Sequence, residues 1–82
     1  MIVLDTNVLS ELMRSAPDAS VTNWVATQSA ANVFVTTITQ AEILHGVLLL
    51  PRGRRRASIE AAADAMFEED FAGRILPFSS LA

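Results

Sequence analysis

The chain contains no cysteine and no lysine, and its only histidine is His45. Without cysteine it cannot form a disulfide framework, an iron–sulfur cluster or a zinc site built on thiolates, and one histidine excludes a multi-histidine metal site. Without lysine, the chain cannot supply the ammonium needed for Schiff-base chemistry or for a P-loop. Oxygen atoms are therefore the only abundant metal donors in this sequence.

Long apolar runs are also missing. The longest apolar segment, residues 43–50, is interrupted by His45 and Gly46, and no export signal or membrane span can be read. Hydrophobic residues make up 51% of the 82 residues and charged residues 18%, a balance that argues against disorder. We expect one cytoplasmic domain over residues 1–82 that does not bind a membrane. It is short enough to be marginally stable alone and to lack a C-terminal part.

Positive charge is scarce but concentrated. The formal net charge is −3, which argues against broad electrostatic capture of nucleic acid, yet four of the six basic residues fall within five positions. These arginines are candidates for contacts with RNA phosphates or with an acidic partner. The alternative is that they only face solvent in a loop and at the start of a helix. Cations at a helix N-terminus oppose the macrodipole, so helix stability does not explain them. The cluster consists of Arg52, Arg54, Arg55 and Arg56.

The hydrophobic pattern predicts alternating strands and helices. The predicted strands are residues 1–4, 33–36 and 74–78. The predicted helices are residues 8–14, a second after an Asp18 cap, residues 39–50, and a fourth that begins near Arg54 or Ala57 and stops before Gly73. Trp24 and Phe34 are expected in the core. This order predicts an α/β fold with an open parallel sheet and helices on both faces, truncated to about three strands and four helices.

Two carboxylates are the best candidates for chemistry. Asp5 follows the first strand, where ligand sites of open parallel sheets lie, and Thr6 and Asn7 follow it at a helix start. Glu42 lies early in the third helix, which follows the second strand, so it should reach the same sheet edge, within about 8 Å of Asp5, close enough to share one hydrated ion. Two alternatives remain open: Asp5 only caps the first helix, or Glu42 completes a capping box with Thr39.

Three segments resemble one protein family. They are Ile2-Val-Leu-Asp-Thr-Asn-Val-Leu-Ser-Glu11, Thr37-Ile-Thr-Gln-Ala-Glu-Ile-Leu-His-Gly46 and Phe71-Ala-Gly-Arg-Ile-Leu-Pro-Phe78. They are similar to PIN-domain ribonucleases, specifically to VapC-type (FitB-like) toxins of type II toxin–antitoxin systems. The resemblance implies that Asp5 and Glu42 are acidic ligands of Mg²⁺ or Mn²⁺ and that Thr6 and Asn7 shape the site.

The same resemblance implies an endoribonuclease that hydrolyses RNA phosphodiester bonds, a cognate VapB- or FitA-like antitoxin and a homodimer. The chain departs from the family pattern because Ser79 stands where related toxins commonly have Asp, and His45 stands where Tyr is common. The resemblance also implies further acidic residues in a C-terminal half of the family, which we expect this chain to lack. The alternative is therefore an inactive remnant that acts only by binding an antitoxin or a second copy of itself.

Overall fold

A computed structural model of the protein describes residues 1–77 and contains a three-stranded parallel sheet. The strands are β1 (Ile2–Val3), β2 (Val33–Thr36) and β3 (Ile75–Leu76), in the order β1-β2-β3. Ile2 pairs with Val33, and Val35 pairs with Ile75. The parallel α/β architecture is therefore as the sequence predicts. The end of the third predicted strand at Phe78 lies outside the described residues, as do the two serines that follow it.

Four α-helices connect and flank the strands: α1 (Thr6–Leu12), α2 (Ala19–Ala26), α3 (Thr37–Leu48) and α4 (Arg54–Ala65). A 3₁₀ turn (Ala30–Asn32) precedes β2, and a π-helical turn (Met66–Asp70) continues α4. No helix within residues 1–77 is both long enough and apolar enough to cross a membrane.

Aspartate side chains cap the N-termini of the first two helices. Asp5 accepts a hydrogen bond from the Val8 N–H at 2.9 Å, and Asp18 accepts from the Ser20 and Val21 N–H groups at 2.8 and 3.3 Å. Each side chain satisfies donors that a helix N-terminus leaves without an intrahelical partner. The Asp18 cap was predicted, and capping of the first helix by Asp5 was one of the alternatives that the sequence left open.

The start of α3 differs from the prediction. Thr36, the last residue of β2, is the N-cap, and its hydroxyl accepts a hydrogen bond from the Thr39 N–H at 3.1 Å. The helix begins at Thr37 and not at Thr39, because the strand runs directly into it. The prediction of a capping box between Thr39 and Glu42 is therefore wrong. The Glu42 carboxylate remains available for a different contact.

The core lies between the sheet and helices α1, α3 and α4. Its largest fully buried side chains are those of Leu9 and Val35, at 1% and 0% exposure. Trp24 is 49% exposed, so its predicted place in the core is wrong, and Phe34 is only half-buried. Helix α2 contributes no buried residue. The buried apolar residues are Leu4, Leu9, Val33, Val35, Ile43, Val47, Ala63, Phe67 and Phe71.

Candidate functional site

The sheet topology brings the segments that carry Asp5 and Glu42 to one edge. Asp5 follows β1 after Leu4, and Thr36 ends β2 immediately before α3. The two strands are parallel neighbours, and the Leu4 N–H extends their pairing by donating to the Phe34 carbonyl at 2.9 Å. The carboxyl ends of both strands therefore point the same way, at the edge where open parallel sheets hold ligands.

A direct hydrogen bond joins the two segments across this edge. The Thr6 hydroxyl donates to Oε1 of Glu42 at 2.8 Å. Thr6 is the first residue of α1 and the chain neighbour of Asp5, so the contact ties the end of β1 to the second turn of α3. Asp5 and Glu42 are both exposed to solvent. The site is thus an open edge that is accessible to solvent.

Two further threonines support this contact. The Thr39 and Thr6 hydroxyl oxygens are 3.2 Å apart, and the Thr36 and Thr39 hydroxyl oxygens are 3.5 Å apart. A carboxylate only accepts and a hydroxyl carries one proton. If the Thr6 hydroxyl donates to Glu42, the Thr39 hydroxyl must be the donor, and the Thr6 oxygen the acceptor, in the hydrogen bond between the two threonines. Thr39 is only 5% exposed. The sequence pattern favoured Thr39 as a helix cap, although its position three residues before Glu42 places both residues on one helix face.

The Asp5 carboxylate can accept further hydrogen bonds in addition to the one with which it caps α1. Its Oδ1 atom accepts from the Val8 N–H, and no hydrogen bond to Oδ2 occurs within residues 1–77. Capping therefore occupies one oxygen and does not exclude a second role for the carboxylate. Asn7 is exposed, and within the described residues no side-chain hydrogen bond joins it to Glu42. His45 is also exposed.

The donor set at this edge fits a hard divalent cation. Two carboxylates and a threonine hydroxyl are oxygen ligands, which suit Mg²⁺ and Mn²⁺ better than zinc. The described part of the chain has no group of three or more His, Cys, Asp or Glu side chains that could hold a metal. An ion held by Asp5 and Glu42 would therefore keep several waters and leave coordination positions for substrate phosphate.

An open groove of about 1010 Å³ extends from Thr6 and Glu42 between three helices; we call it the α1–α3–α4 groove. Among the four clustered arginines, only Arg55 lines it. Arg14 also lines the groove, and no pattern in the sequence pointed to it, because it lies far from the arginine cluster along the chain. The polar residues of the lining are Thr6, Ser10, Arg14, Ser15, Glu42, Arg55 and Ser58.

A small charged network fixes the turn that carries Arg14. The Asp18 N–H donates to Oε2 of Glu11 at 2.9 Å, and Nη1 of Arg14 lies 3.1 Å from Oε1. The backbone hydrogen bond from Asp18, followed by the Arg14 contact, lowers the pKa of Glu11 below its ordinary value. The Ser20 hydroxyl and backbone, with the Val21 N–H, lower the pKa of Asp18. Both carboxylates are thus stabilised in their ionised form at neutral pH.

The family follows from comparison with known proteins. The model of the PIN domain matches residues 2–80, so the chain belongs to the PIN-domain family. The chain is 40% identical over 78 residues to the VapC ribonuclease Y4jK of Sinorhizobium fredii, to the plasmid stability protein StbB of Pseudomonas syringae and to toxin FitB of Neisseria gonorrhoeae. Each alignment covers 95% of this chain and 56% of the relative. The chain thus spans about half the length of these relatives.

Solved structures support the same assignment. A structure of FitAB bound to an IR36 DNA fragment matches with a TM-score of 0.89 at 38% identity, covering 99% of this chain and 57% of that one. The crystal structure of FitAcB from Neisseria gonorrhoeae matches with a TM-score of 0.88 at 39% identity, covering 98% of this chain and 58% of that one. The predicted fold and the resemblance to VapC-type and FitB-like toxins are therefore confirmed.

Proposed function

We propose that the protein is a Mg²⁺-dependent endoribonuclease of the VapC type, or the part of one that carries Asp5 and Glu42. The observation that carries the proposal is the 2.8 Å hydrogen bond from Thr6 to Glu42. It joins the segment after β1 to α3 at the carboxyl edge of the sheet. The similarity to a VapC ribonuclease supports RNA as the substrate.

In this proposal, Asp5 and Glu42 hold Mg²⁺, with Mn²⁺ as a substitute. The ion, when bound, supplies an activated water and charge stabilisation for phosphodiester hydrolysis. Thr6 holds the Glu42 carboxylate in one orientation, and Thr39 in turn holds the Thr6 hydroxyl. Asn7 shapes the outer rim of the site. Because two acids alone hold Mg²⁺ loosely, we expect weak cleavage by the 82-residue chain and stronger cleavage when further acids are supplied.

The protein partners in the proposal are an antitoxin of the VapB or FitA type and a second copy of this chain. One observation also favours the alternative of a non-catalytic binding role. Trp24, Ile38 and Leu49 are large apolar residues that are 49%, 47% and 72% exposed, which is the kind of surface that a partner covers. Sedimentation of the purified chain tests this part: self-association supports it, and a stable monomer without any partner contradicts it.

The enzymatic proposal is tested with a fluorogenic RNA and a titration of Mg²⁺. The samples are the 82-residue chain and the same chain joined to the C-terminal half of a FitB-like relative, each with Asp5→Asn or Glu42→Gln. We expect cleavage mainly in the extended protein and its loss in both variants. The removal of Mg²⁺ by EDTA should abolish it.

Matched controls separate site chemistry from loss of charge. Asp64→Asn and Glu68→Gln make the same changes on exposed positions of α4 and of the π-helical turn. Cleavage that persists in the Asp5 and Glu42 variants, or that falls equally in the controls, would contradict the assigned roles. Cleavage by the extended protein that is insensitive to EDTA would contradict the metal requirement.

A further inference from the structure

We propose that the α1–α3–α4 groove is a binding site for the phosphodiester backbone of single-stranded RNA, with Arg14 and Arg55 as its phosphate contacts. This inference rests on the proposed function, because it assigns the path of the substrate away from Asp5 and Glu42. It assigns a phosphate contact to Arg14, which the sequence pattern did not indicate. Within the arginine cluster, it assigns one to Arg55 only.

The groove carries two cationic side chains although the whole chain is acidic. Its charged lining consists of Arg14, Arg55 and Glu42, whereas the chain carries a net charge of −3. Arg14 is paired with Glu11, which does not line the groove, and Arg55 forms no ion pair within the described residues. Arg55 therefore supplies the unpaired positive charge that attracts a polyanion to this groove although the protein as a whole repels one.

The donors along the groove match phosphate oxygens. Arg14 contacts Glu11 through Nη1 alone within the described residues, so its other guanidinium donors are available to a ligand. Ser10 and Ser58 line the same groove and add hydroxyl donors from α1 and α4. Guanidinium and hydroxyl groups are common partners of nucleic-acid phosphates. Apolar residues that include Ile43 and Ile59 line the groove beside them and would face ribose or base.

Backbone geometry keeps the groove open. Gly46 lines it one helical turn after Glu42, and a Cβ atom at this position would meet no atom within 4 Å. Glycine in the middle of a helix is destabilising, yet here no neighbouring protein atom requires it. Gly53, with a φ of 150° that non-glycine residues rarely adopt, is the N-cap of α4 and directs the chain into the helix that carries Arg55. A strand of RNA that passes over α3 would use the space at Gly46.

The test measures binding without cleavage. A short fluorescein-labelled single-stranded RNA is titrated with the 82-residue chain in EDTA, and fluorescence anisotropy gives its affinity at several salt concentrations. For single strands, the slope of log K against log salt is about −0.7 for each phosphate contact, so Arg14→Gln/Arg55→Gln should make the slope shallower by about 1.4. The pair Arg52→Gln/Arg54→Gln removes the same charge from outside the groove and should change the slope far less.

A second variant tests the same path without changing charge. Gly46→Leu introduces a better helix former and places a side chain in the groove. We expect a higher Tm together with weaker RNA binding, a combination that damage to the fold does not produce. Unchanged RNA affinity in this variant would contradict the path over Gly46.

Three results would overturn the groove assignment: no RNA binding by the unmodified chain, equal effects of the two arginine pairs, or an unchanged slope in Arg14→Gln/Arg55→Gln. They would leave the groove to another occupant, such as an acidic peptide. Because the assay contains no divalent metal, failure of metal-dependent cleavage would not affect it. The two proposals can therefore fail separately.

Discussion

The hydrogen bond between Thr6 and Glu42 makes the sharpest prediction. Thr6→Val removes the hydroxyl and keeps the β-branched shape at the first position of α1, so helix propensity changes little. The lost contact is 2.8 Å long, but it lies at an exposed carboxylate. We therefore expect the free energy of unfolding to fall by only about 0.5–1 kcal/mol, near the value for an ordinary hydrogen bond. A chain of this size is stable by roughly 4–12 kcal/mol, so the variant should remain folded.

The effect on the site should be larger than the effect on stability. Groups that orient metal ligands typically contribute about 10–100-fold to metal affinity or activity. Thr6→Val should therefore weaken Mn²⁺ binding by about that factor, since the Glu42 carboxylate is no longer held. Titration calorimetry with Mn²⁺ measures this loss, and urea unfolding measures stability on the same samples.

Thr6→Ser is the matched control, because it restores the hydroxyl and should bind Mn²⁺ within a few-fold of the unmodified chain. Thr39→Val should show a smaller loss in the same direction, since Thr39 acts only through Thr6. Equal Mn²⁺ affinity in the Val variant and the unmodified protein would refute the orienting role of the hydroxyl. An equal loss in the Ser variant would refute it as well.

Three further predictions concern stability. Leu9→Ala should lower the free energy of unfolding by about 2–5 kcal/mol, because the side chain is 1% exposed and leaves a cavity; urea unfolding checks this, and a loss below about 1 kcal/mol would contradict it. Gly46→Ala should raise stability by about 0.5–1 kcal/mol, or the Tm by about 2–8 °C, because helix propensity improves without a clash; a lower Tm would contradict it. Folding lowers the pKa values of Glu11 and Asp18, so their ionised carboxylates stabilise the protein at pH values above the ordinary pKa values of these groups. Stability should therefore decrease as the pH falls below about 4 and through the lowered values, and Glu11→Gln should reduce this dependence in acid titrations followed by circular dichroism.

Much of the fold could be predicted because it depends on local patterns. The apolar run of residues 1–4 and the β-branched run Val33–Thr36 predict buried strands, and Asp18 predicts a helix start. The start of α3 was missed because several threonines lie next to one another, and only the end of the strand decides which of them is the cap. Trp24 was misplaced because helical periodicity shows which residues share a face and does not show what covers that face.

Part of the candidate site could also be predicted from the sequence, and part could not. Asp5 and Glu42 could be proposed as site residues from their positions after strands and from the family resemblance. The hydrogen bond between Thr6 and Glu42 could not, because its partners lie 36 positions apart along the chain. The shared groove of Arg14 and Arg55, which lie 41 positions apart, could not be predicted either. Both arrangements depend on how α1, α3 and α4 pack, and the spacing of residues in the sequence does not determine that packing.

The most direct test of the central claim is a crystal of the 82-residue chain soaked in Mn²⁺, with anomalous diffraction recorded to locate the metal. We predict one peak at the carboxyl edge of the sheet, in contact with both Asp5 and Glu42, and no such peak in crystals of Asp5→Asn or Glu42→Gln. A peak elsewhere, or a peak at this edge that persists in both variants, would show that these two carboxylates do not form a metal site.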